Sequence, residues 1–334
     1  MRIIVDVMGG DNAPVEILKG CIEAVREYGI NLTLAGKENI IRKHLTSLNA
    51  PMESFEILNA EEIIEADEAP VAAIRRKNDS SMVRGFDMLK KEPDSVFISA
   101  GNTGALMAGG LLRVGRIKGI GRPALAPLIP TRKEPVLLMD AGANTECKPE
   151  NLVQFAVMGS VYMEKVFNRD NPRVSLVNNG VEEGKGNELT KAAYTLLKDK
   201  KDINFTGNIE AREILSGITD IVICDGFTGN IILKLIEGFA SNLFGMMKEE
   251  FTSGILPKIG SLLLKPRLNG LKESMDYAEH GGAPLLGVNG GIIKAHGSSD
   301  ARAIKNAIRQ GKLFMDRQVL NSIKTSIITE DGEV

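Results

Sequence analysis

Residues 220–230 read Asp-Ile-Val-Ile-Cys-Asp-Gly-Phe-Thr-Gly-Asn, and their reading decides the fold. Ile221 to Cys224 is a short apolar run, mostly β-branched, closed at both ends by Asp220 and Asp225. That is the pattern of a strand buried on both faces of a parallel sheet. Gly226 and Gly229 interrupt it. After Asn230, the apolar residues Ile231, Ile232, Leu235, Ile236, Phe239 and Leu243 recur at helical spacing. The stretch is therefore strand, tight glycine turn, helix. Open α/β sheets bind ligands at such carboxyl ends of strands, and backbone N–H groups at a helix N-terminus attract anions.

Working outward, the same device recurs at 96–112. Val96–Ala100 reads as a strand, Gly101-Asn102-Thr103-Gly104 as the turn, and Ala105–Leu112 as the helix. Tight packing alone explains one Gly-x-Thr-Gly turn, since glycine supplies backbone freedom. Two such turns, both carrying hydroxyl or amide side chains, favour an anion site. At the N-terminus the strand Arg2–Val7 leads into Met8-Gly9-Gly10-Asp11-Asn12-Ala13-Pro14, with Pro14 suited to a first helical turn. The next helix buries Ile17, Leu18, Cys21, Ile22 and Val25. A strand at Asn31–Ala35, a helix at Lys37–Leu48 and a strand at Ser54–Leu58 follow. Later, Pro135–Met139 ends in Asp140-Ala141-Gly142-Ala143-Asn144, Pro149 opens a helix through Phe167, and Arg173–Val177 meets Asn178-Asn179-Gly180. A helix from Asp300 to about Ser322 closes the pattern. This alternation predicts an α/β fold with a mainly parallel sheet and helices on both faces.

The chain has 334 residues, enough for one large α/β domain or two lobes, and the reading adopted is one domain over 1–334. A net charge of −2 gives no global nucleic-acid footprint. Cys21, Cys147 and Cys224 are odd in number and far apart, which argues against a disulfide framework or a zinc site and fits a reducing cytosol. The sequence shows no signal peptide and no apolar run of membrane-spanning length. Residues 251–275 differ in character: leucines and isoleucines alternate with Lys258, Lys265, Arg267 and Lys272, and are cut by prolines and glycines. Such amphipathic pieces lie on a membrane surface or pack in a dimer core. Gly180–Lys185 has one residue too few for a P-loop, and no G-x-G-x-x-G follows a strand. Glu61, Glu62, Glu65, Asp67 and Glu68 form an acidic run, and Arg75-Arg76-Lys77 a basic one. These are solvated faces or, for the basic one, a patch for an anionic substrate or acidic partner. His296, before Gly297-Ser298-Ser299, is either a phosphate ligand or proton donor, or a loop histidine satisfied by backbone.

In order along the chain, Met8–Pro14, Ser99–Met107, Asp140–Asn144, Asn178–Gly186, Asp225–Asn230, Gly281–Gly290 and Lys294–Asp300 resemble the PlsX-type phosphate acyltransferases of bacterial phospholipid synthesis. Asp225–Asn230 is also similar to the Asp-x-x-Thr-Gly-Asn stretch of phosphate acetyltransferases. The resemblance implies a three-layer α/β/α subunit of the isocitrate dehydrogenase and phosphate acetyltransferase type, working as a homodimer. It implies transfer of an acyl group from acyl-acyl carrier protein to inorganic phosphate, with the acyl phosphate passed to a membrane glycerol-3-phosphate acyltransferase. It calls for no cofactor and no metal. On this reading Asn230, Lys185 and His296 are the catalytic candidates. Gly10, Asp11, Asn12, Asn102, Thr103, Gly104, Asn144, Asn179, Gly226, Thr228, Gly229 and Ser298 are the candidates for binding phosphate and substrate. The site is expected in a cytoplasmic protein held peripherally at the membrane through 251–272. Two competing readings stand beside it. An oxidative decarboxylase on a related fold would need NAD and a carboxylate cluster, for which Asp6, Asp11, Asp140 and Asp225 are the candidates. A non-catalytic membrane scaffold would use only 251–272.

Overall fold

The computed structural model describes residues 2–254, 257, 258, 260, 264, 267, 270 and 281–331. The proposed amphipathic tip at 251–275 thus lies largely outside the described residues. Two sheets form the middle layer. The first has strand order β3-β2-β1-β4-β12-β11-β5, built from β1 (Ile3–Asp6), β2 (Leu32–Gly36), β3 (Phe55–Asn59), β4 (Val96–Ser99), β5 (Ala124–Leu125), β11 (Ala283–Leu286) and β12 (Gly291–Lys294). The second runs β6-β7-β10-β8-β9, from β6 (Leu128–Ile129), β7 (Val136–Met139), β8 (Arg173–Asn178), β9 (Asn204–Glu210) and β10 (Ile221–Ile223). Pairing is parallel except where β11 meets β12 and β5, and where β6 meets β7.

The short apolar runs become strands because both faces are covered. In β1, Ile3 and Val5 pack among residues of α1 (Val15–Tyr28) and of α9 (Ala301–Asp316), while Ile4 points to the other side. There it meets Met82, Val83 and Phe86 of α4 (Ser81–Lys91). The second sheet repeats this: Leu137 and Met139 share a core with α6 (Pro149–Phe167), and Val136 and Leu138 face Ile232 of α8 (Gly226–Thr252). Alternate side chains feeding opposite helix layers make the three-layer α/β/α arrangement.

Segment 124–129 joins the sheets. β5 ends the first sheet against β11, and β6 begins the second against β7. Between them the Ala126 N–H donates to the Pro284 carbonyl at 2.9 Å, and the Pro127 carbonyl accepts from the Leu138 N–H at 3.0 Å. Pro123, Pro127 and Pro130 hide this strand from pattern reading, since proline is tolerated only where no ladder donor is needed. The closing helix also differs from expectation. It is two helices, α9 and α10 (Val319–Asp331), separated at Arg317 and Gln318, where Gln318 takes φ 52°. The break redirects the chain so that Val319, Leu320 and Ile323 join the core containing α6.

Candidate active site

The carboxyl ends of the parallel strands gather their loops around one cavity of about 710 Å³. Three loops from the first sheet are knotted together. An added Cβ at Gly9 would lie 2.8 Å from the Gly101 nitrogen, and one at Gly10 (φ 109°) would lie 3.1 Å from the Gly297 carbonyl oxygen. The Asp11 N–H donates to the Gly297 carbonyl at 2.8 Å, and the Asn12 amide donates to the Ser298 and Ser299 carbonyls. Gly10, Asp11, Gly101, Thr103, Gly104 and His296 form this polar wall. Facing it, Leu125, Pro127 and Leu128 of the joining segment and Leu233 of α8 form an apolar wall. Asn230, Lys234 and Glu237 of α8 complete the rim, with Ile64, Glu65 and Ala66.

Lys294 ends an otherwise apolar strand and lines the cavity while only 8% exposed. Its ammonium donates to the Ala100 carbonyl at 3.2 Å and to its neighbour Ala295. Burial pushes it from the ordinary 10.5 down to about 8, against the charges of Asp6 and Asp11. Asp6 is itself buried and accepts from the Ser99 hydroxyl at 2.7 Å and the Met8 N–H at 3.1 Å. The Ser99 hydroxyl also accepts from the Gly101 N–H. His296 has Nδ1 2.8 Å from the Ser298 hydroxyl and accepts from the Ser298 N–H. The neutral ring therefore carries its hydrogen on Nε2. Burial, opposed by Glu237, lowers its pKa from 6.5, so the neutral form prevails near pH 7.

The two Gly-x-Thr-Gly turns have different jobs. At the second, the Gly226 N–H goes to the Asn144 carbonyl, the Thr228 N–H and hydroxyl both go to the Asp225 carboxylate, and Gly229 abuts the Asp140 carbonyl. The long helix is thus capped by its own Asp225, and Gly226, Thr228 and Gly229 seat α8 without lining the cavity. Asn144 is likewise consumed: its amide donates to the Pro123 carbonyl at 2.7 Å and to the Asp140 carboxylate at 2.9 Å. At the first turn Thr103 and Gly104 do line the cavity. Asn102 lines it too, but its oxygen caps the following helix at the Ala105 N–H, and its amide donates to the carbonyls of Glu65, Ala66 and Glu68. Asn230 faces the cavity with an amide that makes no hydrogen bond among the described residues. Asn179 and Lys185 sit in the exposed loop after β8 and are not among the residues that line the cavity.

Sequence reasoning passed over Lys294, Lys234, Glu237 and the apolar wall. A charge ending a buried strand marked the first, and helical spacing from Asn230 marked the next two. The acidic candidates do not assemble. Asp6 and Asp225 are engaged as described, and Asp140 takes the N–H groups of Leu125, Gly142, Ala143 and Asn144. Among the described residues no group of three or more His, Cys, Asp or Glu side chains is placed to hold a metal ion. No helix among them is long and apolar enough to cross a membrane.

A family model described as "Fatty acid synthesis protein" matches residues 1–322. A phosphate acyltransferase from Alkaliphilus oremlandii is 54% identical over 327 residues, covering 98% of this chain and 97% of that protein. One from Thermoanaerobacter pseudethanolicus is 53% identical over 335 residues, covering 100% and 99%. A phosphotransacetylase from Streptococcus pyogenes shares the fold, with a TM-score of 0.61 at 16% identity over 96% of this chain and 94% of that one. The ordered strand-end loops, the cavity they enclose and these matches agree: the chain belongs to the PlsX-type phosphate acyltransferase family.

Proposed function

We propose that this acyltransferase moves a fatty acyl group from acyl-acyl carrier protein to inorganic phosphate, supplying acyl phosphate for phosphatidic acid and phospholipid synthesis. The observation that carries the reading is the two-sided cavity. Its apolar wall suits an acyl chain, and its polar wall of glycine turns, Asn230, Lys294 and His296 suits an anion.

Phosphate is already an anion near neutral pH, so holding it beside the thioester carbonyl is the main requirement. A phosphate oxygen forms the new C–O bond, the carbonyl electrons move to oxygen, and collapse breaks the C–S bond. The electron pair leaves on sulfur, and the carrier thiolate takes the proton that hydrogen phosphate gives up on becoming acyl phosphate, while the Nε2–H of His296 donates a hydrogen bond to the departing sulfur. A fixed donor to the oxyanion is worth roughly 3–4 kcal/mol, and that role is assigned to the unengaged amide of Asn230 on the cavity rim. The protein's own thiols are poor nucleophiles. Burial raises Cys21 and Cys224, and burial with Asp140 pushes Cys147 up to about 11. These thiols lend no support to an acyl-enzyme, and direct attack by phosphate is the proposed step.

Carrier recognition is assigned to basic residues, with Arg75, Arg76, Arg113, Arg116 and Arg122 as candidates, because such carriers are acidic. Support comes from Arg75 and Arg76, exposed on α3 (Pro70–Arg76), whose Pro70 touches the turn at Gly104. Arg113 and Arg116 already bond to Ile74 and Gly121 carbonyls, which weakens their case. A homodimer is supported by Phe227, Ile231, Leu235 and Phe239, exposed on α8 and spaced four apart. Peripheral membrane contact through 251–272, and delivery to a membrane glycerol-3-phosphate acyltransferase, complete the proposal. Incubation with acyl-acyl carrier protein and ³²P-phosphate, followed by hydroxylamine trapping, tests the reaction. Labelled acyl phosphate and an acyl hydroxamate are expected; release of free fatty acid alone overturns it.

A further inference from the structure

Among the described residues Lys234 and Lys294 line the cavity, and they are not equivalent. Lys234 is exposed and forms an ion pair with Glu237 at 2.8 Å. Lys294 is buried, and the groups that accept from it are neutral carbonyls. A lysine ammonium has three hydrogens; Ala100 and Ala295 take two. Tying the ends of β4 and β12 together does not by itself require a charge, since a neutral donor makes the same bonds. A buried cation without a carboxylate in contact is unfavourable unless something anionic compensates it. The carboxylates of Asp6 and Asp11 act on it through charge but do not bond to the ammonium: Asp6 accepts from Ser99 and Met8, and Asp11 lines the cavity. The position is therefore built for a ligand that brings its own negative charge into the cavity.

We propose that Lys294 holds the phosphate nucleophile, donating its third ammonium hydrogen to a phosphate oxygen at the polar wall. The inference rests on the proposed reaction for the identity of the anion. It adds a residue that binds substrate to those read from the sequence, and it assigns Asp6 a positioning role: through Ser99 and Met8 it fixes the loops on either side of the ammonium.

Phosphate binding to the full chain, measured by isothermal titration without acyl donor, is compared for wild type, Lys294→Met and the exposed control Lys201→Met. Lys294→Met is expected to weaken binding about 10–100-fold, the effect of losing one charge-assisted hydrogen bond. In steady-state assays the KM for phosphate should rise while that for the acyl donor stays within about twofold. Lys201→Met should match wild type. Unchanged phosphate affinity in a folded Lys294→Met overturns the proposal and makes the lysine a brace, while acyl phosphate formation by wild type would leave the reaction itself standing. If Lys294→Met fails to fold, wild-type protein is reductively methylated with and without saturating phosphate. Protection of Lys294 but not Lys201 supports the proposal; equal labelling of Lys294 in both conditions overturns it.

Discussion

Replacing Gly229 by alanine tests how α8 is seated and what that seating does for the cavity. The new Cβ would stand 1.8 Å from the Asp140 carbonyl oxygen and 3.0 Å from Cys224 Sγ. Neither neighbour yields easily. The Asp140 N–H is bonded to the Cys224 carbonyl at 3.0 Å, its carboxylate gathers the turn at 142–144, and Cys224 is in the core. Reaching an ordinary van der Waals contact means withdrawing the first turn of α8 by about 1.5 Å, with overpacking worth about 1–3 kcal/mol. Asn230, Leu233, Lys234 and Glu237 move with that turn. A misplacement of about 1 Å is worth on the order of 100-fold in rate, so kcat/KM for acyl phosphate formation should fall at least that far. Gly238 is the control on the same helix: nothing lies within 4 Å of its added Cβ. Gly238→Ala should raise stability by about 0.5–1 kcal/mol through helix propensity and leave activity unchanged. Urea unfolding and the hydroxamate assay read both variants. A Gly229→Ala enzyme with wild-type rate and stability would refute the reasoning.

Asp220 offers a pH test away from the site. Burial raises its pKa, but hydrogen bonds and charge from Arg173, joined by Arg169, outweigh that and hold it below 3.8. Its stabilisation is thus present above the unfolded-state value and is lost as pH falls through the depressed folded value. Asp220→Asn should cost about 3 kcal/mol at pH 7, with a smaller difference from wild type below pH 4 in urea unfolding. Asn102→Asp keeps the cap on Ala105 but loses three amide donations to 65–68. A loss of about 1–2 kcal/mol and a several-fold rise in KM for the acyl donor are expected, with kcat less affected. Asn230→Ala should lower kcat by about 100-fold without destabilising the fold. Lys185→Ala is expected from the family resemblance to lose much of its activity. Lys185 is not among the residues that line the cavity, and full activity in that variant would remove it from the site.

The strand–turn–helix units were legible because they are local. A β-branched run, a glycine pair and an apolar helical stripe occupy about twenty consecutive residues, and the side chains buried on α1 are those its spacing predicts. The partition of the two Gly-x-Thr-Gly turns was not legible. Glycine signals that a side chain would not fit but not what the turn serves: the Asp140 carbonyl blocks Gly229 and Pro70 blocks Gly104, yet only the turn at Gly104 lines the cavity. Asn144 and Asn102 show the same limit for amides: their partners, Pro123 and Glu65 to Glu68, come from distant segments. The apolar wall stayed hidden because its strand is written in prolines, and Lys294 because one charge at the end of a strand resembles an ordinary surface terminus.

The join at 124–129 bears on how the molecule is made. Within the first sheet, β4 and β5 are separated by the β11–β12 hairpin, which is synthesised only after the whole second sheet and α8. Until that hairpin emerges, β4 has one unpaired edge and β5 lacks its neighbour, while β6, separated from β5 by two residues, has its partner β7 available. The nascent chain therefore holds open a two-strand gap with unsatisfied backbone on both sides, the kind of edge that invites wrong pairing. The hairpin that fills it ends in Lys294. Closing the sheet and furnishing the cavity with its buried cation are therefore one step, which needs the last strands of the chain.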